Sequence, residues 1–349
     1  MISNMMGPLE AEESSGAMDF TEFLAWSRHA SRTVPSVSRL CETRIARAFA
    51  PIRLTVDVPV KFATVHRCDL ARLWCEVRGL PSRSSTTLLC EGVRHGLRLI
   101  FTVLAQARQR VALPRDVYPI YWRIAFEAGL ETVGVETFPC FDLQAIVEAS
   151  ARSQASVVVL PFPLKLHGRR WTEKEVEEAV LWLHKKPERR LILDGVYSFG
   201  LELGTLTRRL LETGQVIYLD SLSKGWLHEL VLGVAIFPQK DLDAYGNSFR
   251  SLQLSQANLF RARGLLSGFH RFPIQLTEEI EGRRDTLRTL LNGAGVRVLP
   301  AAQGYFLTIE GRASALLKEH RLLTIPATVF GSGFLHWSIA SALPRGDSL

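Results

Sequence analysis

Between residues 85 and 240 the chain alternates short unbroken apolar runs with stretches whose apolar residues recur at helical spacing. TTLLCE (86–91) reads as a strand, VRHGLRLIFTVLAQARQ (93–109) as a helix and QRVALP (109–114) as a strand again. A helix through YPIYWRIAFEAG, the strand ETVGVE (131–136), a helix over DLQAIVEASA and the strand run SVVVLPFP (156–163) continue the series. Thr172 followed three residues later by Glu175 forms a capping-box signature before VEEAVLWLHKK. Three further strand runs follow: RLILD (190–194), QVIYLD (215–220) and VLGVAIFP (231–238). Runs apolar on both faces, separated by amphipathic helices, predict a mainly parallel sheet between helices, an α/β fold.

The pattern changes after residue 250. Residues 250–292 are strongly helical, and EEIEGRRDTLRTLL (278–291) carries a charged face. The short strands VRVLP, GYFLTI and FLHWSIA then surround one helix, RASALLKEH, which predicts a small α+β domain. SVSRLCETRIARAFA (36–50) also has helical apolar spacing. The expected organisation is a loose tail over 1–17, an N-terminal segment over 18–60 packing with the small domain, a large α/β domain over 61–250 and the small domain over 251–349.

Composition narrows the class. At 47% hydrophobic and 22% charged residues, a folded globular protein is expected. No apolar run approaches the roughly 20 residues of a membrane span, and Leu97 to Ala105 is broken by Arg98, so no membrane partner is expected. The acidic, polar start MISNMMGPLEAEESS does not read as a secretory signal, and a cytoplasmic protein is expected. The net charge of +7 favours anionic small ligands, but its Lys and Arg residues are scattered and gather into no nucleic-acid motif. Five cysteines without a CxxC spacing point to reduced, buried thiols rather than to a disulfide framework or a zinc site.

Candidate chemistry lies at strand ends, where open α/β sheets bind ligands. Asp194-Gly-Val-Tyr197 follows RLILD, Ser221-Leu-Ser223-Lys224-Gly225 follows QVIYLD, and Glu91-Gly92-Val93-Arg94 turns TTLLCE into a helix. A desolvated lysine can act as a nucleophile, a carboxylate can hold a positive ring nitrogen, and a helix start can hold a phosphate. Taken singly, each is an ordinary strand-end residue; together they match the needs of pyridoxal 5'-phosphate (PLP).

With LILDGVYSFG, YLDSLSKGW, LPRDVYPIYWRIAFEAGLETVGVE, AAQGYFLTI and IPATVFGSGFLHWSIA, the chain resembles the class I/II aminotransferases, fold-type-I PLP enzymes, over residues 80–345. It is most similar to the shorter, histidinol-phosphate aminotransferase-like members. The resemblance implies a large domain with a seven-stranded, mainly parallel sheet and a homodimer with a small-molecule amino-acid or amine substrate. It makes Lys224 the residue that binds PLP as a Schiff base and later shuttles a proton. Asp194 pairs with the pyridine nitrogen, Tyr197 with the ring hydroxyl, and Tyr118 stacks on the ring face. Ser221 and the amides at Gly92, Val93 and Arg94 form the phosphate cup.

Four positions depart from that family pattern. The phosphate-clamping arginine after the lysine is missing near Val231 and Leu232, and no N-terminal tyrosine precedes Tyr118. Lys165 stands where an asparagine touches the ring hydroxyl, and His336 stands where an arginine binds the substrate carboxylate. One histidine cannot reproduce a bidentate arginine fork. Lys165, His167, Arg169 and Arg170 are candidates to replace that charge, and Arg94 to replace the phosphate arginine; a solvated turn is the plainer reading of Arg169 and Arg170. The expected activity is transamination of an unusual amino acid or amine in a specialised biosynthetic pathway. PLP-dependent decarboxylation, elimination or cyclisation, and a non-catalytic binding protein, are the alternatives.

Overall fold

A computed structural model describes residues 21–23, 25–26, 64–164, 166–198, 203–222, 230–268, 272–300, 304, 306–331 and 333–342. The segment 36–50, Lys165 and Lys224 lie outside the described residues. Helix α1 (Arg67–Val77) precedes strand β1 (Thr87–Cys90) and helix α2 (Gly92–Gln106). The alternation continues through β2 (Arg110–Pro114), α3 (Ile120–Glu127), β3 (Glu131–Val135), α4 (Leu143–Arg152), β4 (Val157–Pro161) and α5 (Glu173–His184). It closes with β5 (Arg190–Asp194), α6 (Thr205–Glu212), β6 (Val216–Ser221) and β7 (Gly233–Ile236).

These seven strands form one sheet in the order β1-β7-β6-β5-β4-β2-β3. Strands β2 to β6 run parallel, whereas β7 is antiparallel to both β6 and β1. Burial explains the unbroken apolar runs. On β4, Val157 and Val159 pack into the cluster beneath α2, α3 and helix α7 (Leu242–Arg250), while Val158 and Leu160 pack into the cluster on the opposite face. Both faces of a central strand are covered, so neither can be polar. Helix α5 begins with the capping box predicted from Thr172 and Glu175, whose side chains and backbone amides pair reciprocally.

Helices α8 (Gln256–Gly268) and α9 (Phe272–Gly293) lead into a three-stranded antiparallel sheet. Its strands are β8 (Phe306–Glu310), β9 (Ile325–Pro326) and β10 (Trp337–Ser341), with helix α10 (Ala313–His320) between β8 and β9. Leu291, Val296, Leu307, Ile309, Leu316 and Ala340 form its own apolar cluster. The run VRVLP is not a full strand: Val298 makes a single bridge to Ile309. The expectation of buried thiols holds for Cys75 and Cys90, but Cys68 and Cys140 are exposed. No helix of the described residues is long and apolar enough to cross a membrane.

Candidate active site

Strand pairing carries the candidate residues to one edge of the sheet. Pro161, Asp194 and Leu219 are lateral neighbours across β4, β5 and β6, and Ser221, Gly233 and Cys90 are neighbours across β6, β7 and β1. Neighbouring strands lie about 4.8 Å apart, so residues far apart in sequence share this edge. A cavity of about 80 Å³ opens there, lined by Val93, Arg94, Tyr118, Tyr121, Asp194 and Tyr197 among others.

Asp194 ends β5 and is 8% exposed. Its Oδ1 accepts the Val196 amide at 3.0 Å, and its Oδ2 accepts the Tyr121 hydroxyl. Burial, followed by the charge of Asp194 and the hydrogen bond to it, pushes the Tyr121 hydroxyl well above its ordinary pKa. The proton therefore stays on Tyr121, which donates it to Asp194 at the cavity wall. Tyr121 was not among the residues singled out from sequence. It stands one helical turn beyond Tyr118, and its amide donates to the Tyr118 carbonyl at 3.0 Å.

Tyr118 is half-buried, and its loop is tied down two residues earlier. The buried Asp116 carboxylate accepts the Thr137 amide at 2.9 Å and its hydroxyl at 2.5 Å. Arg94 Nη2 donates to the Tyr118 hydroxyl at 2.8 Å, with the guanidinium carbon 5.1 Å from the ring centroid. This contact places a fixed positive charge on the first turn of α2.

That first turn is suited to an anion. Glu91 provides no side-chain cap to α2, which leaves its leading amides without that partner. Gly92 adopts φ +83°, a backbone conformation that other residues rarely take. A Cβ on Gly233 would stand 2.6 Å from Gly92 Cα, so two glycines let β7 and the helix start approach.

The site fits PLP. A buried carboxylate suits the pyridine nitrogen, Tyr118 supplies an aromatic face, and the uncapped α2 start with Arg94 suits the phosphate. The structure brings Val93, Arg94, Tyr118, Asp194 and Tyr197 together around the cavity, with Gly92 directly behind. Tyr197 also packs edge-on against Phe306 of β8 at 5.5 Å. Ser221 is buried at the end of β6, opposite Gly233.

Other sequence candidates lie elsewhere or are already engaged. His336 is exposed on a turn, and its carbonyl accepts the Gly311 amide at 2.6 Å. His167 is buried, its Nε2 2.7 Å from the Thr137 carbonyl, which makes that nitrogen the donor. Burial lowers its pKa, so the ring is neutral near pH 7 and carries no replacement charge. Arg169 makes a two-pronged pair with Glu175 at 2.7 and 2.9 Å and so braces the start of α5. Val231, near the position of the missing phosphate arginine, is exposed, and Leu232 is buried.

The family described as aminotransferase class I and II matches residues 58–343. The chain belongs to that family. It is thus a PLP-dependent enzyme of the aminotransferase class, with a fold-type-I architecture. Among solved structures, it is similar to an aspartate aminotransferase double mutant from Thermus thermophilus. Identity is 15% with a TM-score of 0.73, covering 99% of this chain and 97% of the other. YbdL from Escherichia coli, reported with a methionine aminotransferase function, is 17% identical with a TM-score of 0.72, covering 94% of each chain. A PLP-bound C–S lyase from Staphylococcus hominis in complex with L-cycloserine is 12% identical with a TM-score of 0.68, covering 89% and 84%. No curated protein matches the sequence.

Proposed function

We propose that this aminotransferase-class enzyme transfers the amino group of an unusual amino acid or amine, as a step in a specialised biosynthetic pathway. The observation that carries the reading is the buried Asp194 carboxyl, hydrogen-bonded by Tyr121 and facing a cavity that also holds Tyr118, Tyr197 and the α2 start. Asp194 would hold the pyridine nitrogen in its protonated form, with Tyr121 keeping the carboxylate oriented and charged. Tyr118, fixed by Arg94, would cover one ring face and exclude water from it. The α2 amides and Arg94 would bind the phosphate, and Tyr197 would donate to the ring oxygen. Lys224 would hold the cofactor's aldehyde carbon and move the proton at the substrate α-carbon through its Nζ. PLP, when bound, supplies the electron sink for that carbon.

The substrate's unusual character is supported by His336. An exposed turn histidine offers no two-pronged hold on an α-carboxylate, and His167 and Arg169 are otherwise engaged. The same observation supports a second reading, decarboxylation, elimination or cyclisation, because the carboxylate hold selects which substrate bond is broken. A homodimeric, cytoplasmic enzyme is part of the proposal and rests on the family resemblance and the sequence.

The test is to incubate the PLP-loaded protein with a panel of amino acids and amines, with and without a keto-acid acceptor. Transamination predicts that amino donors bleach the cofactor's visible absorbance and that turnover requires the acceptor. Carbon dioxide, thiol or ammonia release without an acceptor would replace transamination by the second reading.

A further inference from the structure

Arg78 sits outside the cavity, at the end of α1, yet it is 1% exposed. Its Nη2 donates to Asp220 Oδ2 on β6 at 3.0 Å and to the Ser198 carbonyl, directly behind Tyr197, at 2.9 Å. The guanidinium also lies 5.9 Å from the Trp74 ring centroid. Ser198 in turn donates its amide to the Gly195 carbonyl at 2.8 Å and its hydroxyl to the Phe162 carbonyl at 3.0 Å. One buried cation thereby joins the turn after β5, the end of β6 and, through Ser198, the segment after β4.

We propose that Arg78 is a positioning residue for the cofactor edge. Held to Asp220 and to the Ser198 carbonyl at once, it fixes the Asp194–Tyr197 turn against the end of β6. This inference rests on the reading of Asp194 and Tyr197 as cofactor ligands.

The chemistry argues for position over mere stability. A buried ion pair contributes little or nothing to folding compared with apolar residues of similar volume, because desolvation offsets the attraction. Here the pair stands where two buried carboxylates, Asp194 and Asp220, end adjacent strands. Two anions so placed repel one another, and Arg78, paired with Asp220, offsets that repulsion. Burial pushes the Asp220 carboxyl up to about 6, Arg78 lowers it, and Asp194 adds to the rise. The groups facing Asp220 are Arg78 from α1, Asp194 from β5 and Tyr218 from its own strand. Because the folded value lies above the ordinary carboxylate value of roughly 4, stability is lost as pH rises from there to about 6. Removing Arg78 moves the upper limit of that window toward neutral pH.

The test compares Arg78→Leu, Arg78→Lys and the paired Arg78→Leu/Asp220→Leu with the wild type, in thermal midpoint and in PLP affinity across pH. The paired apolar variant is expected to match the wild type in thermal midpoint but to bind PLP about 10- to 100-fold more weakly, on the scale of losses from removing outer-shell partners of metal ligands. Arg78→Lys should fall between, since an ammonium keeps the charge but not the planar fork. Arg78→Leu should show an added titration in PLP affinity near neutral pH that the paired variant lacks. Wild-type PLP affinity in the paired variant overturns the inference. So does failure of all three variants to fold, because the pair would then determine folding and not position. An Asp194→Asn control separates the two readings. If it slows turnover while the paired variant keeps wild-type PLP affinity, the cofactor site stands and the role of Arg78 falls; if the wild type itself binds no PLP, the functional reading fails first.

Discussion

Asp194→Asn is expected to cut catalytic turnover with the best amino donor by roughly 30- to 5,000-fold. The figure follows from about 2–5 kcal/mol lost when one partner of a buried charged pair is removed, at about 1.4 kcal/mol per factor of ten. Asparagine preserves the volume; its single oxygen can keep the Val196 amide, while its amide nitrogen donates to a turned Tyr121 hydroxyl, so the fold should change little. What it cannot do is hold a proton on the pyridine nitrogen by opposite charge. The loss should fall on turnover more than on PLP affinity, because the charge matters most when electron density flows into the ring. Pre-steady-state measurement of the first half-reaction, alongside PLP titration, separates the two. A variant with undiminished turnover would remove Asp194 from the catalytic account.

Gly233→Ala should produce the second large effect, through backbone and not through charge. The added methyl would meet Gly92 Cα at 2.6 Å and Gly92 C at 2.7 Å, and neither is the movable end of a side chain. Overpacking of this kind costs about 1–3 kcal/mol of stability. Relief requires the start of α2 to move away from β7, taking the amides proposed to bind the phosphate with it. PLP affinity should therefore fall more than affinity for pyridoxal, which lacks the phosphate. Equal losses for the two ligands would show that the α2 start does not bind phosphate.

How much of this could be read from the sequence differed by element. The strands β2, β4, β5 and β6 were legible because both their faces are buried, so Val157–Leu160 and Leu191–Leu193 leave no polar interruption. The start of α5 was legible because the Thr172–Glu175 box is local. Helix α1 was not singled out, although Leu70, Trp74 and Val77 share one face, because arginines and acids separate them. VRVLP has the composition of a strand, but its pairing with β8 stops at one bridge, Val298 with Ile309, and pairing is a tertiary event.

The site divides in the same way. Asp194 and the Gly92–Arg94 turn follow directly from a strand end and a helix start, so their grouping needs only the topology, whereas Tyr118 comes through the family resemblance. Tyr121 reads as a core aromatic in an amphipathic helix and is indeed buried; only the position of its hydroxyl against Asp194 reveals a role. The Arg78–Asp220 pair joins a helix end to a distant strand, and one-dimensional spacing carries no information about such a partner. Conversely, Arg169 and His167 suggested spare positive charge, but the first is held by Glu175 and the second is neutral.

The central claim is that Lys224 and Asp194 serve one bound PLP. The most direct measurement is to load the purified protein with PLP, remove free cofactor, and record visible absorbance before and after borohydride reduction, in the wild type and in Lys224→Ala. A visible band should be retained by the wild type, be converted by reduction into cofactor covalently attached to a peptide containing Lys224, and be absent from the variant. A wild type that retains no cofactor, or a reduced adduct on another lysine, would contradict it.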